Sequence, residues 1–296
     1  MNESLSIHFL LKENIAEESV RAEEIRACMQ TGRPGLCFLA ECVGDNAESV
    51  ERAVGEEGDT PCLYVTDSGR IYRELVRLAR PAVGYLHGGN QGETFPGAGF
   101  LVEDPQEIDA DSWEKIRQRL IGEPWTIAVT EHLLIREMVP EDLDSLYVLY
   151  EDPQARKFLD PPGENREEEA RILRAYIEKV YHLFGYGMWA VCCRSTGEMI
   201  GRVGFAPCES GQTAELGYLI RADLRGQGLA AEAAAAALRF AGGDIGFSKA
   251  GAHTSADNAA SIALLRKLGF KEVDDAASGN LLYFEKELDH CRDEAQ

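Results

Sequence analysis

The sequence predicts an α/β protein built from two domains, and three observations carry that prediction. The chain has 296 residues, about twice what one ordinary domain needs. Short apolar runs alternate with helically spaced segments through the first half, the pattern of strands joined by helices in a parallel layer. In the second half a strand runs into a glycine-bearing loop that opens straight into an alanine-rich helix. At 45% hydrophobic and 27% charged residues, the composition is that of a globular chain.

The elements of the first half follow in order. A charged amphipathic segment runs from about Ile15 to Met29. Leu36 to Ala40 reads as a buried strand and Glu48 to Val54 as a short helix. Cys62 to Thr66 is a second apolar strand, stopped by the turn signal Asp67-Ser68-Gly69. Ile71, Leu75 and Leu78 give helical spacing up to Ala79. Ala82 to Leu86 and Gly99 to Val102 are two more strands. Ligands of such layers bind where strands end. Those ends offer Asp67-Ser68, His87-Gly88-Gly89-Asn90 and Glu103-Asp104. The order resembles the later part of the haloacid-dehalogenase-like (HAD) fold, over roughly Cys62 to Ile108. That family needs a nucleophilic Asp with a second Asp two positions on, and two positions after Asp67 stands Gly69. The expectation is a Rossmann-like, degenerate HAD-like accessory domain over residues 1–127, without phosphate-transfer chemistry.

The second domain is expected over residues 131–291, the join falling near Pro124-Trp125-Thr126 with no long Ser/Gly linker. Leu133 to Arg136 reads as a strand. Pro140-Glu-Asp-Leu-Asp144 starts a helix, with proline and acids in the first turn. A longer helix spans about Glu167 to Phe184, with Leu173, Tyr176, Ile177, Val180 and Phe184 on one stripe. Met188 to Cys192 and Met199 to Val203 form a hairpin turned by Ser195-Thr-Gly197. Ala214 to Ile220 is the next strand, and Ala230 to Ala237, broken by Glu232, strongly favours helix.

Charge and cysteine use narrow the function classes. Thirty basic residues face 51 acidic ones, a net charge of -21 spread over both halves. A duplex-binding protein needs several cations on phosphates, so nucleic acid is not the expected partner. A cationic partner fits better, and acidity also serves solubility. No apolar run approaches the ~20 residues that span a bilayer. The start, Met1-Asn2-Glu3-Ser4, has neither the basic region nor the apolar core of a signal peptide. Eight cysteines form no Cys-x-x-Cys pair and several sit in apolar runs, as in Leu36-Cys-Phe-Leu-Ala40. Reduced thiols in a cytoplasmic protein are expected, with no metal site.

The loop after the Ala214–Ile220 strand holds the chemistry. In Arg225-Gly226-Gln227-Gly228-Leu229-Ala230 the glycines let the backbone curl tightly. The curl turns several unpaired amides toward one spot at the positive end of a helix dipole, an anion site suited to a pyrophosphate. This segment resembles the acetyl-CoA loop of the GNAT N-acetyltransferases. Asn258-Ala-Ala-Ser261 through Lys267-Leu-Gly269-Phe270 is similar to that superfamily's next motif. Ala214-Glu215-Leu-Gly217-Tyr218 resembles the Rim type, which acetylates the N-termini of ribosomal proteins. The resemblance covers roughly Leu133 to Leu288.

It implies a GNAT α+β fold with a mixed sheet splayed at the cofactor. The backbone at Arg225, Gly226, Gln227, Gly228, Leu229 and Ala230 would hold the pyrophosphate. Tyr218, Leu219 and Ile220 would pair with pantetheine amides as an added strand does. Asn258 would reach the pantetheine arm, or cap the helix it starts. Glu215 is the general-base candidate and Ser261 a hydroxyl near the thiol. Many relatives carry a tyrosine acid further along this helix, where Leu264 and Leu265 stand here, so the acid is open. His253, near a strand end, reads as a packed structural histidine. The implied reaction is acetyl transfer from acetyl-CoA to a primary amine, without metal. The acceptor would be the N-terminus of a basic peptide, or a small-molecule amine such as a polyamine, amino acid or aminoglycoside. A non-catalytic CoA-binding module is the alternative from another class.

Overall fold

The computed structural model describes residues 5–12, 25, 35–55, 60–206, 213–274 and 281–289, so the helix expected over 15–29 lies almost wholly outside the described residues. The chain divides into two compact units, Met1–Glu123 and Pro124–Gln296.

The first unit holds strands β1 (Leu5–Lys12), β2 (Leu36–Val43), β3 (Cys62–Thr66), β4 (Ala82–Tyr85) and β5 (Leu101–Val102). They form one sheet in the order β2-β1-β3-β4-β5, parallel at every pairing. This is a doubly wound order whose switch point lies between β1 and β3. Among the described residues, the helices that connect it include α1 (Ala47–Val54), α2 (Gly69–Arg77) and α3 (Ala110–Ile121). Each starts on a side-chain cap, from Asn46, Ser68 and Asp109. Alternate strand residues serve opposite faces. Ile7, Phe9, Leu63, Val65, Val83 and Tyr85 pack with Trp113 of α3. Leu10, Tyr64 and Ala82 pack with Val50 of α1 and Ile71, Tyr72 and Leu75 of α2. Both faces are covered, as a parallel sheet requires. The sequence reading of Leu36 to Ala40 as buried needs correction. β2 is an edge strand with one neighbour, and Cys37 and Cys42 are exposed.

The second unit begins with β6 (Thr126–Val129), which pairs with β7 (Leu133–Arg136), so residues 126 and 127 belong to the second sheet. After a 3₁₀ turn at Pro140–Asp142 come α4 (Leu143–Leu149), α5 (Pro153–Phe158) and α6 (Arg166–Phe184). Then follow β8 (Met188–Cys193), β9 (Met199–Ala206), β10 (Thr213–Ile220), α7 (Leu229–Phe240), β11 (Lys249–Ser255), α8 (Ala259–Lys267), β12 (Lys271–Val273) and β13 (Leu281–Glu287). The eight-stranded sheet has the order β12-β13-β11-β10-β9-β8-β7-β6. Its pairs are antiparallel except β10 with β11.

Two cores fix its faces. On one, Ala214, Leu216, Ala250 and Ala252 meet Ala233, Ala234, Ala236 and Ala237 of α7. Small residues on both surfaces let helix and sheet approach closely, which explains the alanine run. On the other, Leu219 joins Met138, Leu146, Leu149 and Leu173. Two tyrosines of α6 pin it to β8. Tyr181 Oη donates to the Met188 carbonyl at 2.5 Å, and Tyr176 Oη accepts from the Met188 N–H at 2.7 Å. Among the described residues no helix is long and apolar enough to cross a membrane.

Candidate active site

The parallel pair β10–β11 opens into a fork. Registered partners run Thr213↔Lys249, Ala214↔Ala250 and Glu215↔Gly251 and then stop, although β10 continues to Ile220 and β11 to Ser255. On its other edge β10 stays paired, with Tyr218, Leu219 and Ile220 opposite Val203, Arg202 and Gly201 of β9. Tyr218–Ile220 therefore present backbone groups to a gap that an extended amide chain would fill.

The expected pyrophosphate loop sits at the end of β10. Gly226 and Gly228 have φ of +80° and +84°, and a Cβ built on either would meet nothing within 4 Å. The space a side chain would occupy is thus available to a ligand. Gly228 is the N-cap of α7 and brings no side-chain hydrogen bond, which leaves the first-turn amides directed at that space. Gln227 is exposed and Leu229 and Ala230 are half-buried in the first turn. The Arg225 guanidinium lies 2.6 Å from Asp152, the residue that caps α5. Hydrogen bonds from the Gln154 N–H and from Arg225 hold that carboxyl below the usual carboxylate range, against an opposing effect of burial. The side chain of Arg225 is therefore engaged with the protein, and the loop's contribution is its backbone. Those features fit a pyrophosphate.

Asn258 takes the capping role: its Oδ1 accepts from the Ser261 N–H at 3.1 Å. Ser261 Oγ lies 2.8 Å from Tyr218 Oη. Burial pushes the Tyr218 phenol up, partly offset by that serine contact, so the hydroxyl keeps its proton. Sequence reasoning used Tyr218 for its backbone alone and missed this pairing, which joins two of the expected residues. It also assigned His253 to packing. The structure packs His253 against Tyr283 and also places its Nδ1 2.9 Å from Glu215 Oε1, with side-chain exposures of 27% and 52%. Glu215, Gly217, Gly251 and His253 alternate with the residues that pack on α7, and so lie on the opposite face.

In the first unit the strand ends are stitched to each other. Buried Asp67 accepts the Lys12 N–H at 2.9 Å and lies 3.5 Å from His87 Nε2. Asn90 donates to the carbonyls of Asp67 at 2.9 Å and Tyr85 at 2.7 Å. Glu93 accepts from the Gly69 N–H at 2.9 Å. Among the described residues no cluster of His, Cys, Asp and Glu could hold a metal ion.

Comparison with known proteins places the second unit. The acetyltransferase (GNAT) domain family matches residues 132–271. The uncharacterized N-acetyltransferase YoaA of Bacillus subtilis (strain 168) is 26% identical over 147 residues, 49% of this chain and 83% of that protein. The uncharacterized N-acetyltransferase p20 of Bacillus licheniformis is 28% identical over 145 residues, 48% and 81% of the two chains. Among solved structures, RimL, a ribosomal L7/L12 alpha-N-protein acetyltransferase in complex with coenzyme A, is 22% identical with a TM-score of 0.48, covering 56% of this chain and 99% of that one. The family match leaves the first unit outside it, and the haloacid-dehalogenase-like resemblance of that unit rests on sequence alone. The fork, the curled loop and the family match agree: the C-terminal half of this chain is a GNAT acetyltransferase domain.

Proposed function

We propose that this protein transfers the acetyl group of acetyl-CoA to the α-amine of a basic protein or peptide. The observation that carries the reading is the fork after Glu215↔Gly251, which opens a strand edge beside an uncapped, glycine-curled helix start. The Arg225–Ala230 backbone and the first turn of α7 would hold the pyrophosphate, Tyr218–Ile220 the pantetheine arm. Acetyl-CoA supplies an activated acetyl thioester. The protein supplies a carboxylate, Glu215, on the opposite face, and a protonated hydroxyl pair, Tyr218 and Ser261, across the fork. An α-amine has an ordinary pKa of about 7.7–8.0 and is partly neutral near pH 7, whereas a lysine or polyamine amine near ~10.4 needs far more deprotonation. A net charge of -21 steers a cationic acceptor toward the enzyme, an effect that salt weakens.

The test is acetyl-CoA turnover, read as released thiol, across basic peptides with small N-terminal residues, polyamines, amino acids and aminoglycosides. Efficient turnover of the peptides, with kcat/KM falling as ionic strength rises, supports the reading. Inert peptides beside a rapidly acetylated small amine would replace the acceptor, and thiol release with none of them would leave a CoA-binding module.

A further inference from the structure

We propose that His253 is the group that takes the proton from the acceptor amine, with Glu215 orienting its ring. The inference rests on the amine-acetylation reading above. Glu215 is the last residue of β10 registered with β11, and His253 lies two residues beyond its partner Gly251. The pair therefore spans the vertex of the fork, as diagonal neighbours on the face away from α7. Nδ1 of His253 faces Glu215 Oε1 at 2.9 Å. A carboxylate accepting from Nδ1–H fixes the tautomer that carries its lone pair at Nε2.

The surroundings hold the ring in place. Tyr283, opposite His253 on β13, packs tilted against it at 4.8 Å between centroids. Gly251 makes room for that tyrosine, since a Cβ there would come within 2.6 Å of its hydroxyl oxygen. The titratable groups in contact with the imidazole include Glu215 from β10 and Tyr283 from β13. Behind Tyr283 lies Glu285, 3.5 Å from its hydroxyl and paired with Lys249 at 3.1 Å.

Stability alone does not account for the pair. Exposed ion pairs contribute little, and Glu215 is half exposed. Chemistry does. General-base efficiency is greatest when the base titrates near the working pH. An imidazole, ordinarily ~6.5, is better matched to an α-ammonium of about 7.7–8.0 than a carboxylate of ~4.3. In the balanced step the amine lone pair forms the C–N bond and the C–S bond breaks. Of the two protons the ammonium sheds, one goes to His253 Nε2 and on to solvent, the other to the departing sulfur.

Two measurements on the full-length protein test this. NMR of ¹⁵N-histidine-labelled protein reads the ring without any acceptor: a neutral His253 in the Nδ1–H form that becomes a mixture of tautomers in Glu215→Gln supports the dyad. An Nε2–H ring, or a tautomer that Glu215→Gln leaves unchanged, overturns it. Kinetics with a basic peptide then assign the roles. His253→Gln should lower kcat/KM by about 100- to 10,000-fold and remove its acidic limb, with coenzyme A bound as tightly as by wild type in calorimetry. Glu215→Gln should cost less and keep the limb. If Glu215→Gln removes the limb while His253→Gln keeps it, the carboxylate is the base and the proposal falls. A wild type that acetylates no amine sinks the functional reading and this inference with it, whereas an active wild type matched by His253→Gln sinks the inference alone.

Discussion

Substitution of Gly228 separates the two ways in which the pyrophosphate loop could matter. At φ of +84°, with no atom within 4 Å of the point where a Cβ would stand, an alanine meets no packing obstacle, so its whole cost is conformational. An L-residue held in the left-handed region costs about 1–2 kcal/mol. If the loop keeps its curl without ligand, that cost is taken from folding stability. If the loop relaxes instead, its amides turn away, and binding must restore the curl. The same free energy then weakens coenzyme A affinity by about 5- to 30-fold, at ~1.4 kcal/mol per tenfold. Asparagine tolerates this region better than alanine, and valine adds a β-branched side chain in the space assigned to the pyrophosphate. The expected order of affinity is therefore Gly, Asn, Ala, Val, with calorimetry giving Kd and thermal unfolding giving the complementary loss. Gly226, at +80°, should repeat the pattern. A Gly228→Val protein with wild-type affinity and wild-type Tm would refute both the conformational argument and the loop assignment.

Two further outcomes follow from charge and hydrogen bonding in the second unit. Hydrogen bonds from Ser195 and Thr196 pull the Cys193 thiol down to about 7, whereas burial raises that of Cys192; peptide-resolved alkylation should show Cys193 half-maximally reactive near pH 7 and Cys192 protected, and a Cys193 midpoint in the ordinary range of ~8.5 would contradict this. Glu232 of α7 accepts from the Thr130 hydroxyl at 2.6 Å and the His132 N–H at 2.9 Å, with His132 Nδ1 also at 2.9 Å. Burial raises the Glu232 carboxyl, but these bonds outweigh it and leave it low, while the Glu232 bond raises His132. A lowered carboxyl loses its stabilisation as pH falls below its unfolded value, near ~4.3, and a raised histidine loses its own as pH rises past ~6.5. The Tm deficit of Glu232→Gln should therefore be greatest between those limits and shrink on either side; a deficit independent of pH would refute the coupling.

Local patterns in the chain were readable, and strands and helices that declare themselves through neighbours were not. α6 shows its stripe, its Asn165 cap and its Gly185 stop within one contiguous stretch, and the hairpin β8–β9 carries its own turn. β1 went unread. It is a central strand flanked by β2 and β3; Leu5, Ile7 and Phe9 alternate with the less buried Ser6 and His8, but the pattern runs for only five residues before Leu10, on the other face, breaks it. α3 was hidden for the opposite reason. Apart from Trp113 few of its residues are buried, and a helix of mixed charges resembles a loop until Asp109 and Gly122 are recognised as its ends. β2 misled because an apolar run says nothing about whether a second strand lies beyond it.

The site divides along the same line. Residues 225–230 and the Asn258 cap were legible because their chemistry is complete within a few consecutive positions: a curl needs its glycines, and a cap needs its amide three residues on. The Glu215–His253 contact joins positions 38 apart and Tyr218–Ser261 positions 43 apart. Neither spacing has a period. Both are set by where β10 and β11 stop pairing, and a shift of one residue in that register would send His253 to the α7 face and leave Glu215 alone on its own. A histidine near a strand end thus carries no signal of its own in sequence. Its chemistry is decided by the parallel register of β10 with β11. That register, which no local pattern in the chain announces, is what brings an imidazole and a carboxylate to the mouth of the fork.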